Sequence, residues 1–380
     1  MKFRAGRIVF GAVVALAMLL PAAAGAQTPI PTPFAQCPEG DLPHGAKSKI
    51  CIPAVGWNRQ LVVYAHAYVE VSQPKDFYHV DFGGVNLPFI VQSQGYAFAT
   101  TTYRQNGLAI LEGADDILNL VAQFTGLHGV PLRTIVAGAS EGGLVAALLL
   151  ERAPEVFSSG LAACAPVGSF RGQVNYVGDF RVLFDYFFPD TIPGAVDDVP
   201  PDVAENWVDV YVPKITQKLL TNQAAALELM RTSGAAFDPA NPATIVNTTL
   251  NVLWYNVFGG EDAEDKLGGN PYGNRLRWYS GSSNDLRLNL RVKRYSASLT
   301  ALAVMRQYET TGHLTRPLVT LHTRGDEVIP FLHEPLYLAK VLLTGHSGLL
   351  PLPVARYGHC NFTPNELLTA FALTVSAGTF

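Results

Sequence analysis

The chain has 380 residues, is 48% hydrophobic and 15% charged, and carries a formal net charge of −4. That balance reads as an ordinary globular protein with a sizeable core. No Lys/Arg-rich run occurs, so neither nucleic acid nor an anionic membrane surface is an expected partner.

The N-terminus has the pattern of an export signal. Lys2, Arg4 and Arg7 precede an apolar stretch from Ile8 to Leu20, and Ala24-Gly25-Ala26 forms a small-residue cleavage pattern before Gln27. The alternative, an uncleaved anchor, is disfavoured because the apolar run is short for a membrane span. Residues 1–26 are therefore expected to be a signal peptide, and the mature chain to be secreted or periplasmic without stable membrane association. Export permits disulfides. Cys37 and Cys51 lie in one N-terminal segment and are the first pair to expect, which leaves Cys164 with Cys360; four cysteines allow three pairings. No CxxC or HxxxH spacing supports a metal site, and no cofactor is implied.

Strand-like and helix-like runs then alternate. Leu61 to Ala65 and Tyr96 to Thr101 are short apolar strand patterns, and Ala109 to Thr125 has Ile110, Ile117, Leu118, Val121 and Phe124 at helical spacing. Arg133 to Ala137 is a strand, Gly143 to Arg152 a helix closed by Pro154, and Leu161 to Pro166 a strand. Near the C-terminus come a strand at Leu318 to His322, a helix from about His333 to Leu343, a strand at Leu352 to Tyr357 and a helix at Pro364 to Val375. This alternation predicts an α/β fold with a mostly parallel sheet flanked by helices. The stretch 168–314 breaks the rhythm. It reads as largely helical and aromatic-rich, an insertion packed over a core made of 27–167 and 315–380.

The strongest chemical signal is Gly138-Ala139-Ser140-Glu141-Gly142-Gly143, which directly follows one predicted strand and opens the next predicted helix. A serine at such a turn has strained backbone angles, so its neighbours at Gly138 and Gly142 must be small. The helix N-terminus favours negative charge developing beside its hydroxyl. The bland reading is an ordinary strand-to-helix turn.

With its Gly-x-Ser-x-Gly turn in this context, the sequence resembles the α/β-hydrolase superfamily over about residues 50–380. The resemblance implies a triad in the chain order serine, acid, histidine, with Ser140 as nucleophile. His359, in Tyr357-Gly358-His359-Cys360-Asn361, follows the last predicted strand, where the superfamily keeps its base. His313, His322, His333 and His346 all fall before that strand. Asp326, in Gly325-Asp326-Glu327-Val328-Ile329-Pro330, occupies the superfamily's acid turn, with Glu327 as the obvious substitute. The oxyanion hole is expected from the backbone N–H groups of Glu141 and Tyr68. Tyr68 lies in His66-Ala67-Tyr68, which looks like the superfamily's His-Gly-x loop with alanine in place of glycine. Bacterial tannases and feruloyl esterases also have a cysteine beside the catalytic histidine, but their second cysteine adjoins the serine, where this chain has Ala139. A Cys164–Cys360 bridge would pin the His359 loop.

The superfamily commonly inserts a cap between its sixth and seventh strands, and 168–314 falls there. Glu261, Asp262, Glu264 and Asp265 form an acidic run, read as a solvated loop or as a capture site for a substrate amino group. The expected activity is hydrolysis of a carboxylic ester of a small-molecule acyl substrate. The rivals are an aminopeptidase or amidase with the same triad, and a non-catalytic binding protein on the same fold.

Overall fold

The computed structural model describes residues 37–377; the expected signal peptide lies outside them. In chain order the elements are β1 (Glu39–Asp41), β2 (Lys47–Cys51), β3 (Gln60–Ala65), β4 (Asp81–Phe82), β5 (Val85–Asn86), α1 (Leu87–Ser93), β6 (Ala97–Thr101), α2 (Ile110–His128), β7 (Arg133–Ala139), α3 (Glu141–Arg152) and β8 (Ser159–Ala163). There follow α4 (Phe170–Phe187), α5 (Pro201–Glu205), α6 (Val212–Thr221), α7 (Gln223–Ser233), α8 (Thr244–Leu267), α9 (Asp285–Arg291) and α10 (Leu299–Met305). The chain closes with β9 (Leu318–Gly325), α11 (His333–Leu343), β10 (Leu349–Tyr357) and α12 (Pro364–Ala377).

Eight strands form one sheet in the order β1-β2-β6-β3-β7-β8-β9-β10, and β4 pairs with β5 in a separate hairpin. The β1–β2 and β2–β6 pairings are antiparallel. The remaining five are parallel. The central strands are apolar on both sides because helices cover both faces. Along β3, Leu61, Val63 and Ala65 enter a core shared with Ile117, Leu120 and Phe124 of α2 and the leucines of α3. The alternate residues Val62 and Tyr64 pack on the other face with Val91 of α1 and Phe371 of α12. This is the two-residue period of a strand between two helical layers.

The sequence did not reveal β1, β2 or α1. β1 and β2 are short and polar, which hides the strand period, and α1, at seven residues, is too short an apolar run to show a helical one. The Arg133 strand runs on to Ala139, and the following helix starts at Glu141, so the turn between them has no slack.

Between β8 and β9 the chain is helical, and its buried side chains form their own cluster, including Phe180, Phe184, Trp207, Leu229, Leu253 and Tyr279. Most of the aromatics here are thus internal packing. The acidic run differs from expectation: Glu261, Asp262, Glu264 and Asp265 lie on the last turns of α8, a regular helix and not a loop. Asp262 takes a 2.8 Å ion pair from Lys266 and a 2.6 Å bond from the Leu108 N–H, which ties α8 to the loop preceding α2.

Candidate active site

Ser140 sits between β7 and α3 with φ 54° and ψ −121°, a region that L-residues rarely occupy. Close packing enforces the turn. A Cβ on Gly138 would lie 2.0 Å from the Gly142 carbonyl oxygen, and a Cβ on Gly142 would lie 2.0 Å from the Ala65 carbonyl oxygen. Only glycine fits at either place. The second contact also brings the start of α3 against the end of β3, where the His66–Tyr68 loop begins.

The turn delivers the Ser140 Oγ to within 3.0 Å of His359 Nε2. His359 Nδ1 lies 2.8 Å from Asp326 Oδ2 and 3.0 Å from Oδ1. Asp326 Oδ1 also accepts the backbone N–H groups of Val328 and Ile329 at 3.0 and 2.8 Å. These bonds fix the carboxylate's orientation. Burial alone would push Asp326 up, but His359 and then His322 outweigh it and hold the carboxyl below the ordinary range. The imidazole therefore faces an ionised acceptor on Nδ1 and can accept a proton on Nε2.

Of the rival residues, His322 lies behind Asp326, 3.4 Å from its Oδ2, and no hydrogen bond joins any of the others to Ser140 among the described residues. Glu327 makes no hydrogen bond to His359 among the described residues; it accepts a 2.8 Å bond from Asn251 of α8, and burial raises it above its usual range. His333 accepts the Ser169 N–H, and burial pushes it down to about 3. His313 and His346 pair with each other at the surface, 3.0 Å apart. His66 stacks on Tyr103 at 3.9 Å and hydrogen-bonds Ala67, a structural setting.

The Tyr68 and Glu141 backbone N–H groups have no acceptor among the described residues, and both residues line the cavity that holds Ser140. The Glu141 side chain, absent from the sequence reading, is buried there. Its Oε1 accepts the Ala109 N–H at 2.9 Å, and burial pushes the carboxyl up to about 8. The cavity measures about 170 Å³ and is mostly apolar, with Leu108, Ile110, Phe170 and Val328 on its walls. Glu264, also on its lining, is raised by burial and neighbouring carboxylates to about 7.

Cys37 bonds to Cys51, and Cys164 to Cys360, with Cα atoms 4.3 and 5.3 Å apart. The second bridge joins the segment after β8 to the residue following His359. Sulfurs of Cys164 and Cys360 and a His359 nitrogen cluster within 4.8 Å, but the bridge leaves no thiolate for a metal. The Cys164→Ser/Cys360→Ser double variant is expected to lose about 2–5 kcal/mol of stability, because the bridge closes a long loop. Denaturant unfolding checks this, and an unchanged midpoint would exclude a structural role.

Eight sheet strands in this order, a strained serine turn after the fifth and a histidine after the eighth define the architecture. It is the α/β-hydrolase fold. The helical segment lies between the sixth and seventh sheet strands. No family model matches the chain, and a search of curated proteins found no match. Solved structures do resemble it. An esterase of Pyrococcus furiosus shares 12% identity over 90% of both chains, with a TM-score of 0.48. A proline iminopeptidase of Mycobacterium smegmatis shares 13% identity over 90% of this chain and 97% of its own, with a TM-score of 0.46. An acylaminoacyl peptidase of Pyrococcus horikoshii shares 12% identity over 91% of this chain and 42% of its own, with a TM-score of 0.48; this chain spans under half of that protein.

Proposed function

We propose that the protein is a secreted serine hydrolase that cleaves a carboxylic ester through a Ser140–His359–Asp326 triad. The observation that carries the reading is the Ser140 Oγ held 3.0 Å from His359 Nε2 on a strained turn. His359 takes the Ser140 proton as Oγ attacks the carbonyl carbon. The Glu141 and Tyr68 N–H groups receive the oxyanion. Removing one such donor from a serine hydrolase costs about 10²–10³ in kcat. His359 then gives the proton to the departing alkoxide. A water, deprotonated by the same imidazole, cleaves the acyl-enzyme.

We read 168–314 as a cap over this site, so that substrate enters a bounded cavity and not an open groove. At about 170 Å³ the cavity is smaller than the roughly 300–1,000 Å³ of most ligand clefts, which favours a short acyl group. Secretion is supported by the two disulfides and by the N-terminal pattern. No helix among the described residues is long and apolar enough to cross a membrane.

The carboxyl of Glu264 on the cavity lining favours a second reading, an aminopeptidase that pairs it with a substrate ammonium. Turnover of p-nitrophenyl esters of graded acyl length and of amino-acid p-nitroanilides separates the two. A fluorophosphonate probe mapped by mass spectrometry identifies the nucleophile. Expected are faster ester cleavage, a preference for short acyl groups and label on Ser140. Faster anilide cleavage moves the reading to an aminopeptidase. Neither turnover nor label would leave only the binding-protein alternative.

A further inference from the structure

Behind the triad lies a buried histidine that the proposed mechanism does not use. His322 of β9 is fully enclosed. Its Nε2 lies 2.9 Å from the Ile329 carbonyl oxygen and 3.4 Å from Asp326 Oδ2. Its Nδ1 lies 3.2 Å from Glu334 Oε1, in the first turn of α11. Glu334 Oε2 in turn accepts the Thr320 hydroxyl at 2.5 Å.

A neutral imidazole has one N–H and one lone pair. At His322 each ring nitrogen faces an oxygen acceptor. The Ile329 carbonyl can only accept, so Nε2 carries a proton. The Glu334 carboxylate asks the same of Nδ1. With Glu334 ionised, the doubly protonated ring satisfies both contacts, and it then lies between two carboxylates in a dry interior where such contacts are strong.

We propose that His322 is a positioning residue that stays an imidazolium and shares Asp326 with His359, so that Glu334, His322, Asp326, His359 and Ser140 form one connected chain. The inference rests on the triad reading above. No proton moves to or from His322 during turnover. Its charge keeps Asp326 ionised and oriented. It also opposes a second positive charge on the far side of the same carboxylate.

The surroundings agree. Burial would lower His322, but its bonds to Asp326 and Glu334 raise it to about 10. His333 of α11 is the next titratable group, and it is held neutral by burial and then by the His322 charge. Phe331 meets the ring edge-on at 5.8 Å. The Asp326 charge also acts on the Tyr176, Tyr255 and Tyr357 phenols and on Glu327. Among the described residues, the ion-pair partners of Asp326 and Glu334 are His322 and His359 alone, with no lysine or arginine.

Two measurements test this. First, the pH profile of kcat/KM on the best ester is compared for wild type and His322→Gln. The acidic limb is expected to move up by about 1 pH unit, the size of one close charge contact; a rate loss with the limb unmoved would reduce His322 to structural support and overturn the proposal. Second, ¹⁵N-histidine NMR on the full mature protein carrying Ser140→Ala reads the ring without activity. His322 is expected to show two protonated nitrogens up to pH 9, and Glu334→Gln is expected to bring its deprotonation to lower pH. A neutral His322 ring at pH 7 overturns the proposal even if His322→Gln does not fold. If wild type hydrolyses no acyl substrate, the functional reading fails, while the NMR result still decides the protonation claim.

Discussion

Ser140→Ala is expected to lower kcat for ester hydrolysis on the order of 10⁶-fold, to the level that binding and the oxyanion donors sustain without a nucleophile. The change leaves the fold intact. The Ser140 N–H still bonds the Ala163 carbonyl oxygen at 2.8 Å, and alanine carries the same Cβ through the φ 54° turn. The thermal midpoint should therefore stay within a few degrees of wild type. Steady-state kinetics with the fluorophosphonate probe as a check against contaminating wild type make the measurement. A loss of only tenfold would mean that the attacking group lies elsewhere and that the turn serves packing.

Asp326→Asn is expected to lower kcat by about 10⁴-fold with a smaller effect on KM. The reason is in the bonds that Asp326 accepts. Oδ1 takes the Val328 and Ile329 N–H groups, so the amide oxygen of asparagine must occupy that place. The amide nitrogen then falls at the position of Oδ2, against His359 Nδ1. It donates where a carboxylate accepted. His359 is left with its proton on Nε2, facing Ser140, and cannot take the serine's proton. The amide also presents a donor to His322 in place of an acceptor. The pH dependence of the residual rate is informative: activity that recovers at high pH fits a wrong tautomer. An asparagine variant with kcat near wild type would show that the Asp326–His359 contact is not catalytic.

Much of this was legible in the chain itself. The apolar runs of β3, β7 and β9 and the periodic leucines of α3 mark the sheet and its covering helices, because buried parallel strands and amphipathic helices leave different spacings. The glycines beside Ser140 are legible for a simpler reason. Two backbones approach so closely there that no side chain fits, and only one residue type meets that demand. His359 and Asp326 were found by their places after particular strands, since a parallel sheet brings the C-terminal ends of its strands to one edge.

What required tertiary structure was contact between residues distant in sequence. His322 and Glu334 look in the sequence like one strand residue and one helix residue, and the packing of α11 against β9 turns them into partners of Asp326. Glu141 looks like a surface helix acid, and burial beside the nucleophile makes it a pocket wall held by the Ala109 N–H. The acidic residues at the end of α8 show no apolar period of their own; the helix takes its register from the buried face at Val252, Leu253 and Asn256. Local sequence thus determined the strands, the helices and the one turn whose backbone demands glycine. Which charges stand together in the interior was decided by the fold, because burial and pairing belong to the assembled core and to no single segment of the chain.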